Sequence, residues 1–174
     1  MADGNIEIQK YSILKSFGEF EIRKYNKAIF ATTVIPASTY ENVGNSGFRN
    51  LANYIFGGNK SNQKISMTAP VHMNIKDSVS YMSFVMPSKF QKSELPEPNS
   101  SMVQLQEVEE ETVAAIRFSG YASDSDIKKY TKKLKEALDN QSIKYYGDFR
   151  FLGYNAPYQI LFRRNEIIVN VDWK

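Results

Sequence analysis

The sequence predicts one α+β domain in which two helices pack on a curved, mostly antiparallel sheet or distorted barrel. Three observations predict it. Two stretches, about 20–87 and about 103–173, read alike: strand, strand, long amphipathic helix, then further strands. Each carries an Ala-Pro step at the matching place, Ala69-Pro70 in the first and Ala156-Pro157 in the second. Two separate segments also place apolar residues at helical spacing, while most others alternate with a period of two. A chain of 174 residues fits a single domain, and the period is too long for a solenoid unit. A duplicated unit buries its halves against each other across a pseudo-two-fold seam, and ligand sites favour such seams.

Residues 7–14 read as a first strand, with Ile8 and Ile13 apolar, and Gly18 marks a turn. Residues 19–25 alternate, with Phe20 and Ile22 on one face, and 28–34 follow as the hairpin partner up to Pro36. Ser38, with Glu41 three positions on, is a capping-box pattern that opens a helix reaching about Phe56. Its apolar members Tyr40, Val43, Leu51, Tyr54 and Ile55 share one face with Gly47. A mid-helix glycine costs roughly 1 kcal/mol relative to alanine, so Gly47 reads as a place where another element comes close. Gly57-Gly58 stops the helix.

Residues 64–75 form the most regular strand pattern. Ile65, Met67, Ala69, Val71, Met73 and Ile75 point one way, and Lys64, Ser66, Thr68, Pro70, His72 and Asn74 the other. Pro70 inside it suggests an edge or a bulge. Residues 80–86 are its partner, and 87–101, with Pro87, Pro96 and Pro98, connect the halves. In the second half, 103–108 and 112–118 read as a hairpin, and Gly120 breaks it. Ser123 with Asp126 caps a helix striped by Ile127, Tyr130, Leu134 and Leu138. Residues 145–152, 158–163 and 166–172 read as strands, the last two joined by a tight turn near Arg164-Asn165.

Composition excludes several function classes. With no cysteine, thiolate ligation, iron–sulfur clusters and cysteine nucleophiles are absent. A single histidine rules out a two-histidine metal site. There is no Gly-x-Ser-x-Gly elbow and no phosphate-binding loop. A net charge of +3 admits anionic small ligands but falls short of a nucleic-acid stripe. The lysines of the second helix lack interleaved aromatic platforms and read as a solvated face. Glu107, Glu109, Glu110 and Glu111 read as a solvated turn. No apolar run spans a bilayer and residues 1–10 lack a signal-peptide pattern, so a cytoplasmic protein is expected. His72 faces away from the apolar members of its strand. It reads as a surface or partly covered residue in preference to an axial iron ligand. Eleven Tyr and eleven Phe supply either a dense core or a broad, flat apolar cavity.

Several motifs then occur in order: Phe20-Glu21-Ile22-Arg23-Lys24-Tyr25; Gly47-Phe48 leading to Leu51-Ala52-Asn53-Tyr54-Ile55-Phe56-Gly57-Gly58-Asn59; Lys64-Ile65-Ser66-Met67-Thr68-Ala69-Pro70-Val71; and Arg163-Arg164-Asn165-Glu166-Ile167. Together they resemble the SOUL haem-binding protein family over about 7–173. The resemblance implies two repeated halves that form a distorted antiparallel β-barrel flanked by two helices, a plan similar to GyrI-like small-molecule-binding domains. It also implies non-covalent binding of haem or another porphyrin in an apolar groove beside the first helix.

A flat macrocycle wants an apolar wall, and its propionates want cations. Phe48, Leu51, Tyr54 and Ile55 are the expected wall, Arg49, Lys60 and Lys64 the cations, and Met67 stands at the entry of the adjoining strand. Two departures stand out. Lys24 occupies the place where some vertebrate members carry an axial histidine, and Tyr54 replaces a basic residue late in the first helix. The expectation is a tetrapyrrole carrier, buffer or sensor, without catalysis. The rivals are a GyrI-like module for another small hydrophobic ligand and, behind it, an enzyme acting on tetrapyrroles.

Overall fold

The computed structural model describes residues 6–156 and 159–174. In chain order the elements are β1 (Glu7–Ile8), β2 (Tyr11–Ser16), β3 (Phe20–Tyr25), β4 (Ala28–Ile35), α1 (Tyr40–Ile55), β5 (Thr68–Ala69), β6 (Val71–Asn74), β7 (Ser80–Val85), β8 (Val103–Val108), β9 (Glu111–Phe118), α2 (Asp124–Asn140), β10 (Tyr145–Gly153) and β11 (Asn165–Val171). A single 3-10 turn lies in the connection between β7 and β8. Among the described residues, no helix is long and apolar enough to cross a membrane.

Nine strands make one sheet in the order β2-β3-β9-β11-β10-β6-β7-β4-β8, every neighbouring pair antiparallel. β1 pairs in parallel with β5. The two hairpins expected from sequence do not form. β3 pairs with β2 and β9, and β4 pairs with β7 and β8, so each half lends strands to the other. Alternation identifies a strand but not its partner, and here the exchange lets one sheet run through the whole domain. The order has two ends, so the hydrogen bonding among the described residues is open. Yet β3 and β4 are separated in sequence only by Asn26 and Lys27, which span about 11 Å at most. The sheet therefore curves enough to bring the end of β3 close to the start of β4. Lys24 and Lys27 bind Glu110, Glu107 and Glu109 across that junction.

Both helices lie on one face of the sheet, α1 on β4 and β7 and α2 on β9, β10 and β11. The main core fills the space between, with Ile22, Ala31, Phe84, Ala114, Ile116, Phe151 and Val169 from the sheet meeting Val43, Leu51, Ile55, Leu134 and Leu138 from the helices. Gly47 does admit a close approach. A Cβ there would sit 2.6 Å from Ile35 and 2.9 Å from Met82. The cap of α1 is Thr39 rather than Ser38, its side chain accepting from the Asn42 amide, and Ser123 caps α2 in the same way. The Asp124 carboxylate accepts from the Tyr40 amide (2.9 Å), which ties the two helix starts together.

Three strand expectations change. Residues 7–14 divide into β1 and β2. The run 64–75 breaks at Pro70, which has no N–H for the ladder, and β5 leaves the main sheet to pair with β1. The strand expected at 158–163 falls partly outside the described residues, as does the second Ala-Pro step. Its described part, 159–163, is not a strand, because β11 already has β9 and β10 on its two sides. Ile160, Leu161 and Phe162 are exposed instead, and Asn165 opens β11 rather than a tight turn.

Candidate functional site

The sequence-derived site residues divide into two sets. Leu51, Tyr54 and Ile55 are at most 1 % exposed and face the core, so they back the helix rather than form an open wall. The reason is local: the apolar stripe of α1 is what holds it on the sheet. Burial pushes the Tyr54 hydroxyl up to about 12, and it donates to the Pro96 carbonyl at 2.8 Å. Phe48 and Phe56 are the exposed aromatics of this side, Phe48 resting edge-on against Phe84. Met67 is half-buried. Arg49, Lys60 and Lys64 are exposed, and no ion pair engages them among the described residues. Lys64 bridges to Phe56 through the backbone, bringing a cation and an aromatic ring to one edge. Phe56 stands in the motif 51–59, but its place at the stop of the helix hid its exposure.

The opposite face of the sheet carries a polar network that sequence reasoning missed. Glu166 is fully buried and receives two bonds from Arg23, at 2.8 and 3.0 Å. Arg164 donates to it at 2.8 and 3.0 Å, and Tyr154 at 3.0 Å. Burial alone would raise the Glu166 carboxyl, but Arg23 and Arg164 outweigh burial and hold it below the usual carboxylate range. Burial and the Glu166 charge together push the Tyr25 and Tyr154 hydroxyls up. The Tyr11 ring lies under Arg23, and its hydroxyl accepts from Arg164 at 2.9 Å. The signal was present in sequence: Glu166 precedes an unbroken apolar run in a strand, where a lone carboxylate demands a partner.

His72 lies on this same face and is buried, against expectation. Gln9 and Phe30 cover it: Nε2 meets the Gln9 Oε1 at 2.8 Å, and the Phe30 ring centre is 4.8 Å away. Burial, helped by Arg150, pushes the imidazole down to about 3. Thus it stays neutral and is out of reach of a macrocycle on α1. A concavity of about 640 Å3 lies elsewhere, between Glu109, Glu110, Glu111, Tyr146, Asp172 and Trp173. Its carboxylates would repel propionates. Among the described residues, no cluster of three metal-ligating side chains occurs.

Comparison with known proteins places this arrangement. The chain is 30 % identical over 159 residues to heme-binding protein 2 of Mus musculus, covering 86 % of this chain and 77 % of that protein. Its fold is similar to the EcmrR C-terminal domain, with a TM-score of 0.69 at 11 % identity over 94 % of this chain and 99 % of that one. It is also similar to SAV2435, solved bound to tetraphenylphosphonium, with a TM-score of 0.54 at 9 % identity over 88 % and 94 % of the two chains. The model of the SOUL heme-binding protein family matches residues 6–170, and the chain belongs to that family.

Proposed function

We propose that this protein binds haem or a related tetrapyrrole non-covalently, as a carrier, buffer or sensor, on the outer side of α1 and the 56–65 turn beside it. Family membership across residues 6–170 is the observation that carries the reading. The residues present fit such a group. Phe48, Phe56 and half-buried Met67 offer apolar area, and the unpaired cations Arg49, Lys60 and Lys64 suit carboxylates. Leu51, Tyr54 and Ile55 support the surface from within. No imidazole serves the iron here, because Lys24 is engaged by Glu110 and His72 is sealed on the far face. Contact and charge therefore do the holding. A bound haem would bring iron chemistry. The protein's own part is to screen one face of the ring from water and to fix its carboxylates. A catalytic role finds little support, since the Glu166 carboxylate is held ionised between two arginines and is a poor proton donor.

The same reading makes the chain one cytoplasmic domain, built of repeats 20–87 and 103–173 around a distorted barrel, with a tetrapyrrole rather than nucleic acid as partner. The strand order supports the repeat. From β3 to β8 it reads the same from either end when β3, β4, β6 and β7 are exchanged for β8, β9, β10 and β11. The curl forced by the two-residue link supports the barrel.

Haemin titration followed at the Soret band tests the function. A saturable change is expected, and Phe48→Asp with Phe56→Asp should weaken it about tenfold or more through lost apolar contact. Unchanged affinity in a folded double variant moves the site off α1, and a spectrum identical to free haemin overturns the reading. One observation favours a second reading, a module for lipophilic cations: the acidic concavity holds Tyr146 and Trp173 beside four carboxylates. Tetraphenylphosphonium binding that haemin does not compete away would support it.

A further inference from the structure

Between β10 and β11 the chain puts three large apolar residues in succession into solvent. Ile160 is 72 % exposed, Leu161 68 % and Phe162 92 %. Among the described residues no other run of three is exposed in this way, and Ile13-Leu14 in β2 is only a pair. We propose that this tip is a membrane-docking element, which inserts Ile160, Leu161 and Phe162 into the interface of a bilayer that displays anionic phospholipids.

The root of the loop holds the tip out. Arg163 is nearly buried and donates from Nη1 to the carbonyls of Ala156 and Gln159, at 2.8 Å each. Its guanidinium lies 4.4 Å from the centre of the Tyr121 ring. The Asn155 side chain accepts from the Arg164 amide, and the Tyr154 amide donates to the Arg164 carbonyl. The Arg164 guanidinium is in turn fastened to Glu166. Phe162 has a φ of +56°, a left-handed conformation that is rare for a bulky residue. Such a conformation persists where its surroundings impose it, and here the anchored Arg163 and Arg164 follow directly. Side chains that would otherwise fold back onto apolar neighbours are kept outside.

Charge selects the occupant. Residues 153–165 contain two arginines and no carboxylate. The β9–β11 register sets Arg117 opposite Glu166 and Phe118 opposite Asn165, which brings the exposed Arg117 to the same root. Arg23, Arg117, Arg163 and Arg164 outnumber Glu21 and Glu166 there, so the root stays positive. At the start of α2, Asp124 accepts from the Tyr40 amide and Asp126 from the Ser123 hydroxyl. A protruding run of apolar side chains also lacks the broad core and polar rim of a protein interface, whereas a bilayer needs no complementary shape. Tyr121, exposed beside Arg163, is of the residue type that settles at headgroup level. The tip lies on a membrane and does not span it. Its apolar area is small, so the binding is reversible and salt-dependent. The inference does not rest on tetrapyrrole binding at α1.

The test uses the full chain with vesicles of phosphatidylcholine alone and of phosphatidylcholine mixed equally with phosphatidylserine. Cosedimentation should show binding to the mixed vesicles about tenfold stronger than to phosphatidylcholine alone, and salt should remove most of that difference. Changing Leu161→Asp and Phe162→Asp together should weaken binding about tenfold or more. Both side chains are exposed, so the fold and the haemin titration should be unchanged. Phe162→Trp keeps the apolar character and gives an independent reading. Lipids brominated in their acyl chains should quench its fluorescence beyond the quenching of Trp173 in the unsubstituted protein. Absence of binding to the mixed vesicles overturns the proposal, and so does full binding by the double variant. An indole at position 162 that brominated lipid leaves untouched overturns it as well. Haemin affinity lost in the double variant would assign the tip to the tetrapyrrole surface instead. Self-association that the double variant abolishes, without vesicle binding, would make it a contact between copies.

Discussion

The face of the sheet away from the helices is finished in two different ways. On the β3-β9-β11-β10 side, Arg23, Glu166 and Arg164 close it with charge, and Tyr11, Tyr25 and Tyr154 pack around them. On the β6-β7-β4-β8 side, Thr32, His72, Ser83 and Gln106 line a cavity whose one charged neighbour, Arg150 of β10, is paired with Glu111, and one buried imidazole nitrogen is left over. One short stretch of chain covers both, for Gln9 reaches His72 and Tyr11 reaches Arg23 and Arg164. The difference teaches what each chemistry demands. Buried charge is tolerable only when every bond is made, which leaves no vacancy for a ligand. Neutral polar groups tolerate a gap, because an unmade neutral bond costs less than an unpaired buried charge.

The largest expected effect comes from breaking the charged side. Glu166→Leu leaves buried Arg23 with Glu21 as its one remaining carboxylate and takes the carboxylate from half-buried Arg164, and a loss of about 3–5 kcal/mol is expected in urea unfolding. Arg23→Met should cost less, because Arg164 still pairs the carboxylate. Equal losses in the two variants would show that Arg164 does not share the load. A loss below about 1 kcal/mol for Glu166→Leu would break the comparison itself, since such values belong to exposed pairs.

How much of this could be read in the sequence follows from the range of the forces involved. The α2 stripe of Leu134 and Leu138, the Ser123 cap, the close approach at Gly47 and the run of strands are local patterns, and they were legible. The partners of β3 and β4 were not, because alternation says which side of a strand is buried and nothing about its neighbour. The apolar stripe of α1 was legible as well, but not that three of the four expected wall residues, Leu51, Tyr54 and Ile55, lie buried against the sheet. The same stripe that would grip a ligand is the one that binds the helix to the sheet, and only the exposed rings of Phe48 and Phe56 remain for solvent or ligand. His72 is buried by Gln9, 63 positions away, and no local pattern reports that. Glu166 was legible only as an oddity whose partner lies 143 positions off.

Acid should distinguish the two regions next. The folded His72 imidazole is depressed from its ordinary 6.5 to about 3, so between those values the unfolded chain binds a proton that the folded one refuses. Stability therefore falls as pH drops below about 6.5, by up to about 1.4 kcal/mol per unit from this group. Arg150 is the charged group that deepens the effect. Glu166 has the other window: its folded carboxyl is depressed, so its contribution holds above the ordinary carboxylate value near 4.5 and fades as pH falls through the folded one. His72→Gln should flatten the stability profile between about pH 6.5 and 4.5 and leave the steeper fall below 4.5 in place. A profile unchanged by the substitution would mean that the imidazole is not sealed.

The smallest effect probes the neutral side by the same logic as the charged one. Thr32→Val removes the partner of Ser83 and of Gln106, and a loss of about 1 kcal/mol is expected, since the buried Ser83 hydroxyl is left unpaired. Ser83→Ala should cost about as much or less. When both are changed, no unpaired hydroxyl is left between β4 and β7. The double variant should then fall short of the sum of the singles by about 0.5 kcal/mol or more in a double-mutant cycle. Strict additivity would mean that the two hydroxyls are each satisfied by water and that the cavity wall is wetter than its geometry indicates. Coupling of several kcal/mol would mean that this side is as tightly bound as the Arg23–Glu166 side, and the contrast between a sealed and an open half of the sheet would disappear.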